Sequence, residues 1–218
     1  YIKVVPQDAD AWNRLGLSHQ HGRNLESAVS AYKRAVELQP DNPDFRINYG
    51  LILVETRQAD LGIRQFDHVL KSDPAHSSAQ VNIASAYLQK GEFDKAEQHL
   101  RSAIAREPNL PIAHYSLGLA LKQKDDLSGA KVSLTRALEL DPALSEAHYT
   151  LGITHWQSGE FDDAARCFLS AIRLRPEYAE AHFMLGTALR QRGALVEAET
   201  ALREAIRLNP RTPGPYNT

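Results

Sequence analysis

The residues with the most chemical capacity in this 218-residue chain are its nine histidines and its one cysteine, Cys167. His114, His148 and His182 recur at intervals of 34 residues, as a repeated ligand set would. Zinc holds its ligand nitrogens at about 2.0–2.1 Å. Equivalent helices of successive repeats stand about 10 Å or more apart, since neighbouring helix axes are already about 8–10 Å apart. The three histidines therefore cannot share an ion, and the spacing predicts that they fill the place where Trp12 packs. His148 and His155 lie two helical turns apart on one helix, about 10.5 Å of rise, which is again too far for one metal. His19 and His21 point to different helix faces. Cys167 has no histidine partner in the sequence and falls on the outer side of a second helix, which predicts an inert thiol rather than a nucleophile. The carboxylate pairs Asp125-Asp126 and Asp162-Asp163 sit in turns, where helix capping accounts for them. No phosphate-binding loop, zinc-ligand cysteine set or serine nucleophile elbow is present. The expectation is a non-enzymatic chain with no catalytic residue, no cofactor and no metal.

The elements that carry these residues repeat. The stretch Glu146–Tyr178 contains Leu151, Gly152, Ala164, Phe168, Ala171 and Pro176. A step of 34 residues forward gives Leu185, Gly186, Ala198, Leu202, Ala205 and Pro210, and a step back gives Leu117, Gly118, Ala130, Leu134, Ala137 and Pro142. A 34-residue period built from two helical stretches predicts an all-α, helix-turn-helix solenoid. Six copies follow one another without insertion: 9–42, 43–76, 77–110, 111–144, 145–178 and 179–212. Residues 1–8 keep the phase of an earlier repeat's tail, and 213–218 that of a following repeat or tail, which predicts a longer array.

Each recurring row has a physical reason. Small residues at Gly16, Gly50, Ala84, Gly118, Gly152 and Gly186 mark places where two helices approach closely, because glycine inside a helix otherwise costs about 1 kcal/mol relative to alanine. Ala28, Gly62, Ala96, Ala130, Ala164 and Ala198 form the matching row of the second helix. Tyr32, Phe66, Leu100, Leu134, Phe168 and Leu202 supply the bulk between them, so small residues pack against large ones. Gly91 and Gly159 end the first helices of their repeats, and Asp94 and Asp162 are placed to cap the next. Proline at 40, 74, 108, 142, 176 and 210 stops every second helix. No sustained period-two alternation occurs, so no sheet is expected. The copy at 43–76 departs most, with Arg46 in place of Trp12, Gly62 in place of alanine and Arg57 at the glycine turn. It is expected to be the least stable repeat, exchanging its amide hydrogens faster than 111–178.

Bulk properties narrow the partners. A net charge of -2 argues against a nucleic-acid binder held by phosphate contacts. No like-charge run suggests a membrane-surface segment, and no apolar run has membrane-spanning length. One cysteine and no leader-like segment fit a reducing, cytoplasmic compartment and equally a cysteine-poor exported protein.

These rows resemble the tetratricopeptide repeat family over residues 9–212, most closely in the series Trp12, Leu15, Gly16, Ala28, Tyr32, Ala35 and Pro40. The resemblance implies a right-handed α-solenoid of antiparallel helix pairs, a superhelix whose first helices line a concave groove for a peptide or a partner's helix. Mapped onto this chain, the groove rows are Asn13, Ile47, Val81, Tyr115, Tyr149 and Phe183; then Leu17, Leu51, Ser85, Leu119, Ile153 and Thr187; then Gln20, Val54, Leu88, Lys122, Trp156 and Arg190. Together with Asn48 and Asn82, the expected partner-binding residues are Tyr115, Leu119, Lys122, Tyr149, Ile153, Trp156, Phe183 and Arg190. Two family specialisations fit poorly. The basic residues of the chaperone-binding carboxylate clamp are absent. The asparagine ladder of O-linked N-acetylglucosamine transferases is reduced here to Asn48 and Asn82 in the row Arg14, Asn48, Asn82, Ser116, Thr150, Met184. The expected function is a protein-protein interaction scaffold that binds a protein or peptide segment. Alternatives are a self-assembling array stacked head to tail through uncapped ends, or the targeting arm of a larger enzyme such as a glycosyltransferase.

Overall fold

The computed structural model describes residues 7–209. Most of the expected leading tail, Pro210 and the segment 213–218 lie outside the described residues. Twelve α-helices and no strand occur among the described residues. They fall into two units, Tyr1–Pro108 and Asn109–Thr218. In the first unit α1 (Ala9–His21) pairs with α2 (Leu25–Leu38), α3 (Pro43–Glu55) with α4 (Ala59–Ser72), and α5 (Ser77–Lys90) with α6 (Phe93–Arg106). In the second, α7 (Pro111–Gln123) pairs with α8 (Leu127–Leu140), α9 (Ser145–Gln157) with α10 (Phe161–Leu174), and α11 (Ala179–Gln191) with α12 (Leu195–Leu208). Within each unit a second helix also packs on the next first helix: α2 on α3, α4 on α5, α8 on α9 and α10 on α11. No helix among the described residues is long and apolar enough to cross a membrane.

The glycine row does what its spacing requires. A Cβ added at Gly50 would lie 2.4 Å from Phe66 Cε1, and one at Gly118 would lie 2.5 Å from Leu134 Cγ. The same holds for Gly152 against Phe168 and Gly186 against Leu202, each at 2.6 Å. Each of these first helices thus leaves a gap that one large side chain of its partner helix fills. Gly62 is a second close approach within α3 and α4, since its Cβ would meet Val54 Cγ2 at 2.7 Å and the Gly50 carbonyl oxygen at 2.8 Å. The change from alanine there is required by the backbone spacing of that pair.

The second helices end two residues before a proline, at Leu38, Ser72, Arg106, Leu140 and Leu174. Proline lacks the N–H and disfavours helical backbone in the residue before it. The turn inside each pair needs one left-handed residue. Gly91, Gly159 and Gly193 supply it at φ 73°, 76° and 80°, while Arg23, Arg57 and Asp125 adopt it at 57°, 61° and 64°. For a residue with a Cβ that conformation costs about 1 kcal/mol or more. Arg57→Gly is therefore expected to raise the unfolding free energy by about 1 kcal/mol in urea titrations. An unchanged midpoint would show that Arg57 recovers the cost through contacts elsewhere.

The capping expectation is corrected in part. The N-caps of α6 and α10 are Glu92 and Glu160, neither of which makes a side-chain cap bond. Asp94 and Asp162 already stand inside the first turn, as does Asp163. The helix starts directly after the glycine and glutamate, so these aspartates arrive too late to cap and instead meet the positive end of the helix dipole. Side-chain caps come from Asp8, Asn24, Asn42, His76 and Asp126.

Arg46, Gln80, His148 and His182, which share the repeat position of Trp12 and His114, have a role that the sequence did not reveal. Arg46 Nε donates to the Pro40 carbonyl at 2.5 Å and Gln80 Nε2 to that of Pro74 at 3.1 Å. His148 Nε2 lies 3.1 Å from the Pro142 carbonyl oxygen and His182 Nε2 2.9 Å from that of Pro176. The donors tie the turn just beyond the preceding second helix, at the proline two residues past its end, to the next first helix. Arg46 also donates to Gln65 Oε1 at 2.7 Å, so this departure in the repeat at 43–76 is a substitute rather than a loss.

Burial, opposed in part by the Pro142 bond, holds the His148 imidazole below its usual value. The native state then favours the neutral ring, and the unfolded chain binds more protons as pH falls. The contribution is present above the ordinary histidine pKa of about 6.5 and is lost as pH falls through the lower folded value. His148→Gln keeps the donor, as Gln80 does, and removes the titration. Its Tm is expected to fall less than the wild type's between about pH 7 and 5; equal slopes would contradict this.

Candidate functional site

The expected site residues lie on first helices and are described unit by unit. In the first unit Asn48 and Asn82 are half-buried. Asn48 Nδ2 donates to Asn13 Oδ1 at 3.0 Å, which ties α3 to α1. Gln20 Nε2 makes a similar bridge to Glu55 Oε2 at 2.8 Å, and Gln20 Oε1 accepts from Tyr32 OH at 3.0 Å. These side chains are largely spent on their neighbours. Val54 and Val81 are buried, and the most exposed apolar side chains on this face are Leu17 and Leu51, 47% and 40% exposed.

In the second unit α7, α9 and α11 bring the aromatic rows together. Tyr115, Leu119, Lys122, Tyr149, Ile153, Trp156 and Phe183 are all half-buried, Thr187 is buried, and Arg190 is exposed. The Tyr149 ring leans on Phe168, with centroids 5.8 Å apart, and on Tyr178 in the loop before α11, at 4.9 Å. Arg175 lies over the Tyr178 ring at 3.5 Å and pairs with Glu146 at 2.9 Å. Burial raises the Tyr149 phenol above its usual value and pushes Tyr178 up to about 12. Tyr115 is likewise raised by burial, although a side-chain hydrogen bond with Thr150 of α9 pulls the other way.

Tyr149, Ile153 and Trp156 pack against a core built on Phe168 and Leu185. Each ring therefore has one side committed to the fold. The Trp156 indole Nε1 is buried and has no acceptor among the described residues. Lys122 makes no ion pair there, and burial alone lowers its ammonium pKa. The face thus combines half-exposed rings with a cation that lacks an anion, which suits a chain carrying apolar and acidic groups.

The residues with catalytic capacity are already engaged. Cys167 is half-buried, and burial pushes its thiol up to about 11, far from a thiolate nucleophile. His155, Glu160 and Asp163 place their ligand atoms within 4.8 Å of one another, a cluster that sequence spacing did not suggest because it crosses the turn between α9 and α10. Glu160 bonds His155 Nδ1 at 2.5 Å and Lys131 Nζ at 2.7 Å, and Asp163 pairs with Arg166. The Lys131 bond, more than that of His155, holds the Glu160 carboxyl low. A cation here would compete with two side chains that already neutralise the carboxylates.

The paired helices, glycine contacts and proline stops define a tetratricopeptide repeat protein, and such domains are protein–protein interaction modules. The chain belongs to the family described as Cilia and flagella-associated protein 70 C-terminal domain, whose model matches residues 3–216. No curated protein matches the chain. Among solved structures, MamA is similar at 25% identity and a TM-score of 0.69, over 74% of this chain and 95% of that one. The fold is shared with YrrB, described as a TPR protein with an unusual peptide-binding site, at 22% identity, a TM-score of 0.67 and 84% and 94% coverage. It is also shared with PilF of Pseudomonas aeruginosa, at 18% identity, a TM-score of 0.81 and 94% and 93% coverage.

Proposed function

We propose that the chain is a non-enzymatic scaffold whose first-helix face binds a segment of a partner protein, with the six repeats at 9–42 through 179–212 as its binding domain. The observation that carries this reading is the half-buried strip Tyr115, Tyr149 and Phe183 with Trp156, beside the unpaired Lys122. Rings held on one side and open on the other offer contact area at little entropy cost. The description of YrrB supports a peptide as the ligand type, and the family's description supports a partner from cilia or flagella. Nucleic acid and membrane are not part of this reading, given the near-neutral charge.

A photoreactive residue at Leu119 or Ile153 is expected to crosslink the partner, while one at Val132, 72% exposed on α8, is not. Lys122→Glu with Arg190→Glu is expected to weaken capture at least tenfold, measured at a temperature where the variant remains folded. Unchanged capture, or crosslinking from Val132 alone, would place the partner elsewhere.

Self-association is the second reading. Leu195, Val196 and Ile206 on α12 are 65%, 77% and 66% exposed. A surface of this kind favours a contact with another copy. Light scattering over a concentration series decides it, since a strict monomer throughout removes this reading.

A further inference from the structure

Between α10 and α12, floored by α11, lies an open cavity of about 1100 Å³. It is on the second-helix side of this unit, and the proposal built on it does not depend on the first-helix face. Its apolar surface comes from Ala165, Leu169, Ile172, Leu189 and Ala201, with Arg192 at the rim. Leu169 is 52% exposed beside it.

The repeat itself shows why the space is empty. One repeat earlier, between α8 and α10, the positions of Ala165, Leu189 and Ala194 hold Lys131, His155 and Glu160. Those three form a bridge, with Lys131 2.7 Å and His155 2.5 Å from the Glu160 carboxylate. In the first unit, between α4 and α6, the positions of Leu189 and Ala201 hold Tyr87 and His99. Their rings stack with centroids 5.7 Å apart, and Lys90 lies 5.9 Å from the Tyr87 centroid. Lys90 is the counterpart of Arg192. Between α10 and α12 the rings are gone, Arg192 remains as a cation, Glu197 stands at the position of Lys95, whose Nζ is 5.1 Å from the Tyr87 centroid, and apolar residues line the space.

We propose that this cavity receives an aromatic side chain from a partner protein, seated on Leu189 and Ala201 with Arg192 alongside. The chain's own Tyr87 and His99 argue for a ring over an aliphatic group, because the equivalent place elsewhere in the same fold is built around a stacked ring beside a cation. A cation beside a ring face adds attraction that an aliphatic side chain does not receive.

The test uses N-acetyl-tryptophanamide as the probe and methyl NMR as the readout. Ring-current shifts are expected at Ala165, Leu189 and Ala201, saturating with a Kd of about 1 mM. N-acetyl-leucinamide is expected to bind several-fold more weakly. Two variants fill the cavity with solutions the chain already uses. Ala165→Lys with Leu189→His and Ala194→Glu rebuilds the bridge, and Leu189→Tyr with Ala201→His rebuilds the stacked pair. Whichever of them folds is expected to bind the probe at least tenfold more weakly, and displacement of the probe by ring-filled variants is read on the remaining Ala165 or Ala201 methyl. Should neither fold, Ala201→Met in the wild-type background supplies the same readout. The proposal is overturned if the shifts are absent, if filled variants bind as well as wild type, or if leucinamide binds equally. Concentration-dependent dimerisation that filling abolishes would assign the cavity to a second copy and also overturn it. Lys122→Glu with Arg190→Glu is expected to leave the shifts intact, which separates this site from the first-helix face.

Discussion

Gly152→Ala is expected to lower the unfolding free energy by about 2 kcal/mol, a large effect for one methyl group. In an exposed helix the same change would gain up to about 1 kcal/mol from helix propensity. Here the new Cβ would lie 2.6 Å from Phe168 Cε1 and 2.8 Å from Cδ1. Phe168 is fully buried, and the Tyr149 ring leans on it with centroids 5.8 Å apart, so it has no free direction in which to move. The strain must then push α9 from α10 or force the ring off its rotamer. The chain contains the remedy: where the small residue is Ala84, the large one is Leu100, and both are fully buried. Gly152→Ala with Phe168→Leu rebuilds that pair and is expected to recover more than half of the loss. Urea unfolding measures both, through a shift in midpoint at constant slope. A single variant as stable as wild type would mean that the glycine row is not a steric requirement.

The same pairing explains how much of the fold could be read from residue order. The period, the glycine row and the proline stops are local or nearly local signals, and each depends on steric exclusion that residue type expresses directly. Gly62 was legible as a departure but not as a contact, because its neighbour is the Gly50 carbonyl oxygen at 2.8 Å and backbone leaves no trace in a residue's type. The donor row was hidden for a different reason. Arg46, Gln80 and His148 share no hydropathy or size, only a side-chain N–H. For the site, the sequence placed Tyr115, Tyr149, Trp156 and Phe183 on first helices but could not give their burial. Tyr178 packs on Tyr149 from a loop 29 residues further along, beyond the reach of a helical pattern. The cavity beside Leu189 was invisible because it consists of what small side chains fail to fill.

Tyr149→Ala is expected to cost about 2–3 kcal/mol of stability, although Tyr149 stands in the row mapped to partner binding. Truncation removes the ring contacts with Phe168 at 5.8 Å and Tyr178 at 4.9 Å and opens a hole beside the Phe168 core. Tyr149→Phe keeps both contacts and is expected to stay within about 0.5 kcal/mol of wild type, because ring packing and not the hydroxyl carries the effect. Thermal or urea unfolding of the two variants separates these contributions; a harmless Tyr149→Ala would show that the ring belongs to the surface alone. The consequence for function is direct. Loss of binding in Tyr149→Ala reports on folding and recognition together, whereas Lys122 makes no ion pair among the described residues and its charge can be reversed without breaking one. If partner capture falls in Lys122→Glu with Arg190→Glu, and also in Tyr149→Ala, each at a temperature where the variant remains folded, recognition and packing share the same ring.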